Sequence, residues 1–95
     1  MSRAFVNEDA GGPPPPQYGL PDADSPYYEE AAAWALLEGA DQGDTRSAEV
    51  ATGCRWGEPR LLPHIRAILE QATRRGEDRV AQLARRFLRE TERRA

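Results

Sequence analysis

Hydrophobic residues recur every three or four positions in four separate segments of the chain, the spacing of one face of an α-helix. The clearest segment is near the C-terminus, where Val80, Leu83, Ala84, Phe87 and Leu88 follow this pattern. No segment alternates polar and apolar residues as a half-buried strand does. The pattern predicts an all-α fold, a small antiparallel bundle of three to four helices with a flexible Pro-rich N-terminal arm.

Capping residues mark the first two predicted helices. Ser25 followed by Pro26 predicts the start of helix one, because serine caps helices and proline suits the first helical position. Asp44 or Thr45 predicts the start of helix two, which is expected to run to about Arg55.

The last two helices have equally local signals. Pro63 requires helix three to begin between Arg60 and Pro63, because a proline deeper in a helix loses a hydrogen bond and clashes with the preceding turn. Gly76 predicts its end. Helix four is expected to start near Glu77 and Asp78.

The chain divides into an arm, residues 1–24, and a helical domain, residues 25–95. Gly11 and Gly12 precede four prolines, which fix φ and remove four hydrogen-bond donors. Such a piece is polyproline II or disordered. We interpret it as a stiff spacer, with an SH3-type ligand as the alternative.

The central residues of the apolar stripes predict the core. The residues expected to be buried together are Leu36, Ile65, Leu69, Leu83 and Phe87. The candidates for burial in the short second helix are Ala48, Val50, Ala51 and Cys54.

Charge is divided between the two halves of the chain. Residues 1–50 carry two arginines and ten acids, whereas residues 51–95 carry eleven arginines and six acids, within a total net charge of −3. There is no lysine. This division indicates that the two halves neutralise each other or that the basic half binds another molecule.

The polar face of helix four is the main candidate binding site. Its arginines are Arg85, Arg86, Arg89 and Arg93. Three interpretations stay open: neutralisation by Glu29, Glu30 and Glu38 of helix one, an acidic surface of a protein partner, or nucleic-acid phosphates. The isoelectric point near 5.1 and the lack of interleaved aromatic residues disfavour nucleic acid.

Trp56 lies at the corner that follows helix two and is the other candidate binding residue. It is expected to be a core residue at this corner, or else an exposed ring that stacks on a ligand.

Recognisable catalytic chemistry is missing from the sequence. His64 is the only histidine and Cys54 the only cysteine, so neither a zinc site nor an internal disulfide is predicted. A lone cysteine fits a reducing cytoplasm. We expect no metal, no cofactor, no signal peptide and no membrane span, whereas self-association stays open.

Two short stretches resemble parts of a known family. Residues 2–9 resemble the N-terminal tag of small bacterial homologues of Gre-type transcription elongation factors, and residues 43–49 resemble the Gre coiled-coil tip. In that family the tip enters RNA polymerase and its acids help to hold a catalytic Mg²⁺. Ser47 stands where a further acid is expected, so no catalytic role is carried over.

These observations favour a non-catalytic helical adaptor or regulator that binds a bacterial protein partner, with RNA polymerase as the partner that the resemblance implies. The alternative is a minimal acid-dependent Gre-like factor that uses Mg²⁺ at Asp41, Asp44 and Glu49.

Overall fold

The computed structural model describes residues 19–94 of the chain. This part contains four α-helices, a short 3-10 turn and no strand. The elements are α1 (Tyr28–Asp41), α2 (Thr45–Thr52), the 3-10 turn (Pro59–Leu61), α3 (Leu62–Arg75) and α4 (Asp78–Arg94). The predicted small all-α bundle is therefore confirmed. Residues 1–18, which hold most of the predicted arm, lie outside the described residues.

α1 begins later than the sequence predicted, at Tyr28 instead of Pro26. The hydroxyl of Ser25 accepts a hydrogen bond from the backbone N–H of Tyr27 at 3.1 Å, which closes a turn two residues long. The N–H of Ser25 also donates to the carbonyl of Asp22 at 2.9 Å. The prediction was wrong because a serine hydroxyl can close a turn as well as cap a helix.

α2 begins as predicted and ends early. Asp44 is its N-cap, and the carboxylate of Asp44 accepts a hydrogen bond from the N–H of Ser47 at 3.2 Å. The helix ends at Thr52, three residues before the predicted end, where Gly53 adopts a left-handed φ of +71°.

Two of the four residues predicted to be buried in the second helix are exposed. Ala48 and Cys54 are buried, as expected, but Val50 is 75% exposed and Ala51 is also exposed. Residues two apart on a helix point in directions that differ by about 200°. Because Ala48 belongs to the core and α2 packs mainly on α1, Val50 points to solvent.

Local sequence signals placed α3 and α4 correctly. Pro63 lies in the first turn of α3. Backbone N–H groups in the first turn have no partner within the helix, so the lack of one in proline costs no hydrogen bond there. Gly76 ends α3 with a left-handed φ of +72°, and α4 then starts at Asp78.

The helices enclose one hydrophobic core. α3 and α4 share the most extensive contact, and α1 packs against α2, α3 and α4. Four of the five predicted core residues are buried in one cluster: Leu36, Ile65, Leu83 and Phe87. Leu69 is half-buried and packs against this cluster. The core therefore holds one side of α4 and leaves its arginine-bearing side to solvent.

Candidate binding site

Half of the six arginines on α4 form ion pairs. Arg79 joins α4 to α1, with its Nε 2.8 Å from Oδ1 of Asp41. Arg93 and Arg94 both reach Glu90, at 3.1 and 3.0 Å, as residues three and four apart on a helix can. These pairs are largely exposed, so each contributes little to stability.

The other three arginines of α4 have no carboxylate within 4.0 Å in the part of the chain that the structure describes. They are Arg85, Arg86 and Arg89. The acids of α1 do not neutralise them. Glu29 lies 3.6 Å from His64, and Glu38 accepts a hydrogen bond from Gln42 at 3.4 Å. Within these residues, neutralisation of the three by α1, one of the open interpretations, does not occur.

Trp56 is half-buried between the core and the surface. Its ring meets that of Phe87 edge to face, with 4.9 Å between the ring centroids and 65° between the planes. Its backbone N–H donates to a carboxylate oxygen of Glu49 at 2.8 Å. Trp56 thus packs on the core, and it also lines the surface depression described below. That its ring stacks on a ligand stays a prediction.

The loop that carries Trp56 is fastened to α4. The hydroxyl of Thr91 donates to the carbonyl of Gly57 at 2.9 Å. Gly57 has φ of +89°, and a Cβ at this position would lie 2.8 Å from Cγ of Glu90. Only glycine combines this backbone conformation with so close an approach. The loop thus places the side chain of Trp56 beside α4.

Trp56 and one side of α4 together form a surface depression of about 290 Å³, here named the Trp56 concavity. Its lining residues are Trp56, Arg86, Arg89, Glu90 and Arg93. It contains four of the five binding residues that the sequence predicted. Arg85 does not line it, although Arg85 is adjacent to Arg86 in sequence.

The chemistry of the Trp56 concavity suits an anion beside an apolar or aromatic group. Guanidinium groups present planar donors that match carboxylates, and an indole ring offers a face for stacking. Glu90 engages Arg93, so Arg86 and Arg89 are the arginines left to meet a ligand. Glu90 was not among the binding residues that the sequence predicted, although its spacing to Arg93 and Arg94 signals this pairing.

The three acids of the Mg²⁺ alternative have separate partners. Asp41 pairs with Arg79, Asp44 caps α2, and Glu49 accepts the N–H of Trp56. Among residues 19–94, no three or more His, Cys, Asp or Glu side chains are grouped to hold a metal ion. Residues 43–49, which resemble a coiled-coil tip, form the α1–α2 turn and the first part of α2.

Cys54 and His64 also have structural partners. Cys54 is buried, and its Sγ lies 3.0 Å from Nη2 of Arg60. This hydrogen bond, which the guanidinium donates to the sulfur, raises the pKa of Arg60 above its ordinary value. His64 is half-buried beside Glu29 at the start of α3.

A second tryptophan lies on a different surface. Trp34 of α1 is 39% exposed and borders an apolar depression that it shares with Leu37, Val80 and Leu83. Its rim carries Asp41, already paired with an arginine. Unlike the Trp56 concavity, this depression is lined by no arginine that lacks a carboxylate partner among the described residues.

Comparisons with protein-family models, with curated proteins and with solved structures find no match to this chain. None of the helices that the structure describes is both long and apolar enough to cross a membrane.

Proposed function

We propose that the protein is a non-catalytic helical adaptor or regulator that binds an acidic segment of a bacterial protein partner in the Trp56 concavity. One observation carries this proposal. Arg86 and Arg89 have no carboxylate partner among the described residues, yet they lie beside a tryptophan whose loop is hydrogen-bonded to α2 and α4.

An unneutralised arginine face costs stability, which is a reason to look for a ligand. Arg85 and Arg89, which lack a carboxylate partner among the described residues, are spaced four residues apart, and like charges at this spacing repel by a few tenths of a kcal/mol. A partner that brings carboxylates removes this repulsion. Tryptophan and arginine are also the residues that most often dominate binding energy at protein interfaces.

A protein partner fits the charge balance better than nucleic acid does. The chain carries a net charge of −3, which at long range repels an extended polyanion such as nucleic acid more than a short acidic peptide. The Trp56 concavity offers a single aromatic ring, whereas single-strand binding uses several stacking platforms. A short acidic segment needs only the local positive charge.

RNA polymerase is the first partner to test, because residues 2–9 resemble the tag of Gre-type factors. This context comes from the resemblance alone. The Trp56 concavity defines the chemistry of the partner segment, namely carboxylates next to an apolar side chain.

The test compares two charge-reversal variants with the same change in net charge. Arg86→Glu with Arg89→Glu alters the Trp56 concavity, whereas Arg46→Glu with Arg75→Glu alters exposed arginines elsewhere. Immobilised wild-type and variant chains are exposed to purified bacterial RNA polymerase and, separately, to a bacterial lysate at low and high salt.

We expect the Arg86/Arg89 variant to lose at least about tenfold in affinity for the captured partner, since two charge-assisted contacts are reversed. The Arg46/Arg75 variant should bind like the wild type. Circular dichroism should show equal helix content in all three proteins. Equal capture by both variants contradicts the proposal.

A further inference from the structure

We propose that the chain carries its own ligand for the Trp56 concavity: residues 5–9 dock there within the same molecule and compete with the protein partner. This inference rests on the proposed function, because it uses the same concavity. It adds a regulatory state in which the site is occupied before the partner arrives.

The chemistry of residues 5–9 matches the site. Glu8 and Asp9 are the only acidic residues in residues 1–18, and they are adjacent. Two carboxylates correspond to the two arginines that lack a partner among the described residues, Arg86 and Arg89. Phe5, a short distance before the acids, supplies an aromatic ring for contact with Trp56.

The N-terminal end of α1 lies close to the loop that carries Trp56. The phenol of Tyr28, the first residue of α1, donates a hydrogen bond to the carbonyl of Thr52 at 2.7 Å. Thr52 is only four residues before Trp56. The segment that precedes α1 therefore starts from the same end of the bundle as the Trp56 concavity.

The connecting chain is long enough for docking. Asp9 and Gly19, the first described residue, are separated by ten residues, which can span about 33 Å when extended. The molecule measures 47 Å in its longest dimension. Its other two dimensions are 30 and 24 Å, so the extended connecting chain can cross the bundle.

Because residues 5–9 and the Trp56 concavity belong to the same chain, even a weak contact between them would be occupied for a substantial fraction of the time. A short tether whose length matches the span between two sites gives an effective concentration in the millimolar range. A contact with a millimolar dissociation constant is then about half occupied. A partner can bind only the molecules whose Trp56 concavity is unoccupied. Its apparent affinity therefore falls about twofold when half of the concavities hold residues 5–9, and about tenfold when nine-tenths do.

The experiment uses the full chain and two variants matched in net charge. Glu8→Arg with Asp9→Arg removes the internal ligand. Asp22→Arg with Asp24→Arg makes the same charge change at exposed positions outside residues 5–9. The probe is a fluorescein-labelled peptide of ten glutamates, and its binding is followed by fluorescence anisotropy at low salt.

We expect the Glu8/Asp9 variant to bind the decaglutamate about two- to tenfold more tightly than the Asp22/Asp24 variant does. Equal affinities overturn the inference. The proposed function then survives if Arg86→Glu with Arg89→Glu still abolishes probe binding, so the two failures are distinguishable.

A second measurement does not depend on the probe. In ¹⁵N–¹H spectra, the indole resonance of Trp56 should shift in the Glu8/Asp9 variant and stay in place in the Asp22/Asp24 variant, while that of Trp34 stays in place in both. An unchanged Trp56 resonance overturns the inference. A shift of Trp56 without any decaglutamate binding supports internal docking and contradicts the binding of an external acidic segment.

Discussion

Arg85 and Arg86 are neighbours in sequence with different surroundings. Both are exposed, and neither has a carboxylate partner among the described residues. Adjacent residues on a helix diverge by about 100°, so only Arg86 faces the loop that carries Trp56. The sequence predicted the arginines as a group, and the fold separates them.

This separation predicts different effects of two equivalent substitutions. Arg86→Glu should weaken decaglutamate binding about tenfold, because it places a negative charge in the Trp56 concavity. Arg85→Glu should change the affinity much less. Fluorescence anisotropy with the labelled peptide measures both. Equal losses in the two variants would mean that overall charge, and not the concavity, determines binding.

Phe87 links the core to the binding surface. It is fully buried, and its ring contacts the ring of Trp56. We expect Phe87→Ala to lower the free energy of unfolding by about 3–5 kcal/mol, since it leaves a cavity at the centre of a small core. Urea denaturation followed by circular dichroism measures this change. A wild-type-like midpoint would show that the core collapses around the smaller side chain.

At the scale of elements, the loop between α2 and the 3-10 turn determines where Trp56 lies. Its bonds to Glu49 and Thr91 connect it to α2 and α4. These partners are distant in sequence, so no local pattern could have predicted that Trp56 lies beside Arg86. Pro63 and Gly76, by contrast, act on the backbone next to them, and the limits of α3 were predictable for this reason.

Two other errors of prediction have equally specific causes. Ser25 could cap a helix or close a turn, and the contacts that decide between these lie outside its own sequence pattern. Val50 fits an apolar stripe, yet α2 is only eight residues long and contacts the core through Ala48 and Thr52. In a helix this short, packing decides burial and the pattern does not.

Two glycines allow a matched test of the loop. Gly53 and Gly57 both have positive φ, so replacement of either by alanine should lower stability by about 1–2 kcal/mol. A Cβ at Gly57 would also collide with Glu90, whereas one at Gly53 meets nothing within 4 Å. Gly57→Ala should therefore cost at least about 1 kcal/mol more than Gly53→Ala. Thermal melts compare the two, and equal losses would mean that Glu90 moves aside freely.

At the scale of the whole molecule, the opposite charges of the two halves of the sequence do not form a network of ion pairs between the described helices. The one described ion pair between α1 and α4 joins Arg79 to Asp41, and both side chains are about half exposed. Exposed pairs of this kind contribute about 0–1 kcal/mol. The core therefore holds the described part of the bundle together, and the charges remain free to serve binding.

Salt should consequently affect binding and stability differently. Between about 50 and 500 mM NaCl, screening removes most of the interaction between exposed charges. We expect the melting temperature to change by less than about 8 °C, because no more than about 1 kcal/mol depends on such pairs and 1 kcal/mol shifts the melting temperature of a domain this small by about 4–8 °C. Decaglutamate binding should weaken strongly over the same range. A large fall in melting temperature would show that the charge division stabilises the fold.

The labelling rate of the Cys54 thiol measures how often the structure around it opens. Its side chain is 1% exposed, so a bulky thiol reagent such as Ellman's reagent cannot reach it while the core is closed. The colour reaction therefore requires an opening of the structure that exposes Cys54, which lies in the loop after α2. Because this loop also carries Trp56, we expect an acidic segment bound in the Trp56 concavity to slow the reaction. The half-time of Cys54 labelling then measures what fraction of the concavity is occupied.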